Sequence, residues 1–146
     1  MRHGRSRADD EKVHEGRYDS PLTNVGRDQV RSRGQNWRDS AKVFDAIISS
    51  TLKRASESAE ILAEVLGVSV EYDQDWMERD NGQLAGRPVE KTQEIPLSIE
   101  ATGPFSPYDT VSGTGESKWD LVGRSARALQ SIVRSCLLYT SDAADE

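Results

Sequence analysis

The chain has 146 residues, 35% of them hydrophobic and 30% charged, which is enough for one core and too few for two. A net charge of −6 argues against nucleic acid as a partner, because binding a phosphate backbone needs an accumulated basic face. No apolar window approaches the length of a membrane span, and no apolar run follows the basic N-terminus as a secretory signal would require, so a single cytoplasmic domain is expected.

Against this acidic background the first seven residues, Met1 to Arg7, hold three arginines and no acid, a local positive focus that suits a small anion. Residues 8 to 22 are polar, contain Gly16 and Asp19-Ser20-Pro21, and read as a long loop. Thr23 suits a helix N-cap, with Gln29, Val30 and Trp37 following to Asp39, although Gly26 and Gly34 weaken that helix. Phe44 to Ser49 is a short apolar run with β-branched residues, hence a buried strand. Ser49-Ser50-Thr51 ends it, and Leu52, Ala55, Ala59, Leu62 and Leu66 then recur at three- and four-residue steps along one helical face that closes at Gly67. Val68 to Tyr72 alternates apolar and polar residues, a second strand. Strand, helix and strand with short connections predict a parallel, right-handed α/β unit.

Residues 74 to 116 are rich in glycine and proline, with a short helix expected only near Val89 to Glu94. Ser117-Lys118-Trp119-Asp120 has the form of a capping box, predicting a helix to about Arg134. The closing stretch, Cys136 to Glu146, resembles the translation of a sequencing-library adapter; residues 136–146 are therefore expected to be a tail with no evolved structure, and residues 1–135 a partial domain. Without that tail the charge falls to −3, since three carboxylates and no cation leave with it. The lone Cys136 forms no internal disulfide, and with two histidines it makes a poor zinc set, so neither a metal nor a cofactor is expected.

One position is electrostatically odd. Arg54 falls in the first turn of the predicted helix, the end where the helix dipole disfavours a cation. An anion there removes the mismatch, and free N–H groups near Ser50 to Lys53 together with the guanidinium would grip a phosphate. On this feature alone, Lys53 and Arg54 read more readily as solvated surface charges.

Several motifs give this oddity a context. Arg2-His3-Gly4-x-Ser6, then Gly16-x-x-Asp19-x-Pro21-Leu22-Thr23-x-x-Gly26-x-x-Gln29, resembles the opening signature of the histidine phosphatase superfamily, the phosphoglycerate-mutase-like enzymes. Ser49 to Ala55 resembles its second motif, Glu78-Arg79-x-x-Gly82-x-Leu84-x-Gly86 its third, and Gly115-Glu116-Ser117 the short motif opening a later helix. The resemblance implies a three-layer αβα sandwich with a mixed, mostly parallel sheet, here incomplete at both ends.

It also implies roles. His3 would be the nucleophile that forms a phosphohistidine, Arg2 and Arg54 would neutralise the phosphoryl oxygens, and Glu78 would protonate the leaving alkoxide and later activate water. Ser6, Asp9, Gly16 and Arg79 would contact substrate, Asp9 standing where many relatives carry an asparagine. His14 lies in a polar loop with no ligand spacing; the family's second histidine, from a late strand followed by His-Gly, is missing from this chain. Asn81 and Val89 stand where the glycolytic mutases carry a tyrosine and a lysine. The expectation is a phosphatase of small phosphorylated metabolites, impaired in this truncated chain, with a bisphosphoglycerate-dependent mutase and a non-catalytic anion- or protein-binding module as alternatives. Oligomeric state is not legible.

Overall fold

The computed structural model describes residues 1–94, 106–110 and 113–142, and its first helix lies where the sequence reads as loop. Helix α1 spans Arg7–Glu11. Ser6 caps it: the hydroxyl accepts from the Asp9 amide, and the Asp9 carboxylate accepts from the Ser6 amide at 2.8 Å, a reciprocal capping box. Five residues are too few for an apolar period, so only the Ser-x-x-Asp spacing could have announced it.

Helix α2 (Asn24–Asp39) starts as predicted, with Thr23 Oγ1 accepting from the Gly26 amide at 3.0 Å. The two glycines expected to weaken it are its contact points. A Cβ on Gly26 would fall 2.1 Å from the Arg5 carbonyl oxygen, and one on Gly34 would press on Val65 and Leu62. Bare backbone at these places lets α2 approach both the N-terminal segment and the next helix. Gln29 fixes the same approach by accepting from the Arg5 amide at 3.0 Å.

Strand β1 is shorter than expected, Ala46–Ser49; Phe44 instead packs its ring against Trp37, centroids 5.2 Å apart. Helix α3 (Lys53–Leu66) follows, and Gly67 closes it with a positive φ of 73°. Strand β2 (Ser69–Tyr72) returns beside β1 in parallel, with Ala46 opposite Ser69 and Ser49 opposite Tyr72. The strand–helix–strand order and the parallel pairing are therefore as predicted and the α/β class holds, but β1 is not the buried strand expected, since Ala46 and Ile48 are exposed. The core gathers Leu22, Val30 and Leu62, with Trp37, Ile47, Ile61 and Leu66 packed around them. Burying such side chains contributes about 1.5–3 kcal/mol each, and it is this packing that fixes α3 against α2.

Beyond β2 the chain is built of short 3₁₀ turns, including Gln74–Trp76, Gly82–Leu84 and Val89–Glu94. Part of the loop over residues 88 to 116 lies outside the described residues. Helix α4 (Lys118–Asp142) opens on the predicted capping box, Ser117 Oγ accepting from the Asp120 amide while the Asp120 carboxylate accepts from the Ser117 amide. It runs on past the expected end near Arg134 into the stretch read as adapter-derived, because residues 135–142 contain neither glycine nor proline to stop it. Residues 143–146 lie outside the described residues. No helix among the described residues is long and apolar enough to cross a membrane.

Helix α4 carries a buried ion pair that the sequence reading missed. The Arg124 guanidinium donates from Nε and Nη2 to the two carboxylate oxygens of Glu116, at 2.5 and 2.8 Å. Its remaining donors reach the carbonyls of Asp75, Met77 and Glu78 at 2.8, 2.6 and 3.1 Å. The fork geometry of arginine serves four residues at once. These bonds from Arg124 hold the Glu116 carboxyl below the ordinary carboxylate range, outweighing the opposing effect of burial.

The sign of the pH effect follows. The charged form of Glu116 is favoured by folding, so its contribution is whole above the unfolded carboxyl range and fades as the pH drops through the lower folded value. Glu116→Gln is expected to cost about 1.5–3 kcal/mol at neutral pH. Urea unfolding from pH 7 to pH 3 should show the variant losing less stability on acidification than the parent; parallel losses would refute the assignment.

Candidate active site

Helix α3 delivers Arg54 inward from its first turn, and the side chain is 1% exposed. Its Nη2 donates to the Gly16 carbonyl and to Glu78 Oε2, both at 2.7 Å, and Nη1 donates to the Tyr18 carbonyl at 3.0 Å. Nε stands 3.6 Å from Glu15 Oε1. The electrostatic mismatch of a cation in the first turn is thus resolved by two carboxylates of the chain itself. The N–H groups expected to wait for phosphate are partly taken as well: the Lys53 amide donates to Asp19 Oδ1 at 2.7 Å.

Gly4 seats the N-terminal segment against α2 and α3; its amide lies 3.4 Å from Ser58 Oγ, which donates in turn to the Arg54 carbonyl at 2.6 Å. This places the His3 ring beside Arg54. His3 Nδ1 is 2.7 Å from the Gly4 carbonyl oxygen. A carbonyl only accepts, so Nδ1 carries the hydrogen, and in the neutral ring Nε2 bears the lone pair. That lone pair is the nucleophile a phosphoryl acceptor needs.

His3, Arg2, Ser49, Ser50, Arg54 and Glu78 all border one cavity of about 560 Å³. Arg2 is largely exposed, its Nη2 3.7 Å from Glu15 Oε2 and 3.9 Å from Asp9 Oδ1. Glu78 is half exposed and paired to Arg54. The four residues expected to carry the chemistry are therefore brought together.

The four expected substrate contacts fare differently. Ser6 is fully buried; its hydroxyl reaches Glu15 Oε1 at 2.5 Å while capping α1. Asp9 turns Oδ2 back to that cap. Partial burial works against its charge, but the bonds from Ser6 and the neighbouring His3 and Arg2 prevail, and its carboxyl is held below the usual range. Gly16 offers Arg54 its carbonyl. Arg79 donates from Nε to the Glu116 carbonyl at 3.0 Å and does not border the cavity.

The residue the sequence reading passed over is Glu15. Its carboxylate has Ser6 and Arg54 on one oxygen and His3 Nε2, 3.6 Å away, with Arg2 on the other. The signal was present: an acid directly before the motif glycine Gly16, in the loop that returns to His3. Ligand atoms of His3, Glu15 and Glu78 lie within 4.8 Å of one another, a set that could take a cation. The Arg54 guanidinium already serves both carboxylates, so a cation would have to displace it.

A model of the histidine phosphatase superfamily (branch 1) matches residues 1–137. The chain belongs to that superfamily. Among curated relatives, the uncharacterized phosphatase PhoE of Bacillus subtilis (strain 168) is 35% identical over 100 residues, covering 68% of this chain and 51% of that protein. A probable phosphoglycerate mutase of Salmonella paratyphi C (strain RKS4594), GpmB, is 34% identical over 94 residues, covering 64% and 43%. The chain thus spans about half the length of the curated relatives it matches. Among solved structures, Bacillus stearothermophilus YhfR aligns with a TM-score of 0.76 at 27% identity, over 92% of this chain and 66% of that one. A mycobacterial glucosyl-3-phosphoglycerate phosphatase solved with VO3 aligns with a TM-score of 0.72 at 24% identity, over 91% and 62%. The superfamily fold accounts for the parallel βαβ unit, and phosphatases and phosphoglycerate-mutase-like proteins stand side by side among the relatives.

Proposed function

We propose that this chain carries the nucleophile half of a phosphomonoesterase site that acts on a small phosphorylated metabolite through a phosphohistidine. The observation that carries the reading is the convergence of the His3 Nε2 face and the Arg54 guanidinium on one carboxylate, each 3.6 Å from Glu15, so that both can reach a single phosphoryl group.

In the first half-reaction the Nε2 lone pair attacks phosphorus in line with the ester oxygen. The P–N bond forms, the P–O bond breaks, and protonated Glu78 gives its proton to the departing alkoxide. Arg2 and Arg54 meet the charge on the equatorial oxygens. In the second, Glu78 takes a proton from water, the oxygen attacks phosphorus, and inorganic phosphate leaves His3 neutral again. Asp9, expected as a substrate contact in place of an asparagine, is engaged in the α1 cap, and Arg79 belongs to the Glu116 network rather than to substrate. Turnover by this chain alone is slow, because the family's second histidine is not among its residues.

Exposure to p-nitrophenyl phosphate followed by mass spectrometry should find an acid-labile, alkali-stable phosphoryl group on His3. Its absence, or its presence on another residue, would end the reading. The likeness to GpmB favours a mutase as the second reading. Bisphosphoglycerate-dependent interconversion of the two phosphoglycerates would establish it; Asn81 and Val89 argue that none will be seen.

A further inference from the structure

We infer that Glu15 is an internal competitor of the phosphoryl group, an anion of the chain itself that faces the phosphate-gripping and attacking residues and must be displaced for phosphate to bind. The inference rests on the phosphatase reading of the same site.

The geometry is specific. Of the residues assigned to grip or attack phosphate, Arg2, His3, Ser6 and Arg54 all face the Glu15 carboxylate, at 3.7, 3.6, 2.5 and 3.6 Å. The side chain is 10% exposed, so these contacts are held away from bulk solvent. A reacting phosphorus must come within about 3–3.5 Å of Nε2 to be attacked, which is closer than the carboxylate oxygen now stands. A phosphoryl group held by His3 and Arg54 would lie directly beside this buried carboxylate, and two anions that close repel strongly where water is scarce.

Asp9 does not play the same part, since its Oδ2 is committed to the Ser6 cap and its Oδ1 stands 3.9 Å from Arg2, with no bond to Arg54 among the described residues. The Glu78 carboxylate is bonded to Arg54 Nη2 at 2.7 Å but is half exposed, so water can take its place there more readily than it can replace the buried Glu15. Glu15 is thus the residue that sets how tightly the site holds phosphate. A glutamine there would keep the bond from Ser6 and remove the charge.

The test is calorimetric titration of the purified chain with inorganic phosphate at pH 7.5, comparing the parent with Glu15→Gln. Glu15→Ala serves as the second variant should the first fail to give a cooperative melt. Asp10→Asn, which removes an exposed carboxylate paired to Arg5, controls for net charge. Glu15→Gln is expected to lower the phosphate Kd at least about tenfold, with Asp10→Asn within about twofold of the parent. An unchanged or weaker affinity in the Glu15 variants, or an equal gain in Asp10→Asn, overturns the inference and leaves the phosphate site standing. Absence of phosphate binding in the parent and every variant overturns the inference together with the phosphatase reading.

Discussion

His3→Ala is expected to lower p-nitrophenyl phosphate hydrolysis by roughly 10⁴- to 10⁶-fold, the scale of losing a covalent nucleophile. The argument is geometric. Gly4 holds the ring through Nδ1, and the lone pair on Nε2 is turned to the side from which Arg54 approaches. No other described imidazole stands there: His14 belongs to the loop that pairs with Arg87 and Gly86 through its backbone. Rates are measured best in a version extended to the full length of the relatives, where the parent rate is high enough for the ratio to be read. Equal rates in parent and variant would remove the phosphohistidine step. Phosphate affinity should change much less, because the guanidinium of Arg54 remains.

Arg54→Ala strikes both stability and binding. The side chain is almost wholly enclosed, and its removal strands the Gly16 and Tyr18 carbonyls and leaves Glu15 with a cation fewer. Breaking a buried charge network in this way costs about 3–5 kcal/mol. Urea unfolding should therefore show a much lower midpoint, and phosphate titration no measurable heat. Arg54→Lys separates the two effects: one ammonium keeps the charge but cannot reach the Tyr18 carbonyl, the Gly16 carbonyl and Glu78 in a single fork. It should recover part of the stability and little of the affinity. A fully stable Arg54→Ala protein with parental phosphate affinity would show that the guanidinium is a bystander.

Those elements whose residues repeat with a period were legible in advance. Helix α3 declared itself through Leu52, Ala59, Leu62 and Leu66, and β2 through its alternation. The capping residues Thr23 and Ser117 marked two helix starts because their side chains bond within one turn, an event local in sequence. The convergence of His3 with Arg54 was foreseen from motifs and from one misplaced cation at a helix start. What escaped was made by tertiary contact. Arg124 looks like any charge on an amphipathic helix, and only folding brings it to carbonyls some 46 to 49 residues away. Gly26 and Gly34 counted against α2 in isolation and turned out to be the places where it is touched. Glu15 was one acid in a polar loop until four partners closed around it.

The Arg124 network gives the site an uneven anchorage. His3 and Arg54, the proposed nucleophile and phosphate clamp, belong to the N-terminal segment and α3, whereas the backbone that presents Glu78 is tied to the far helix through the Arg124 guanidinium and to Glu116 through Arg79. Damage along α4 should accordingly leave anion capture intact while mispositioning the acid, so that a lesion remote from the cavity reads out as failed alcohol release.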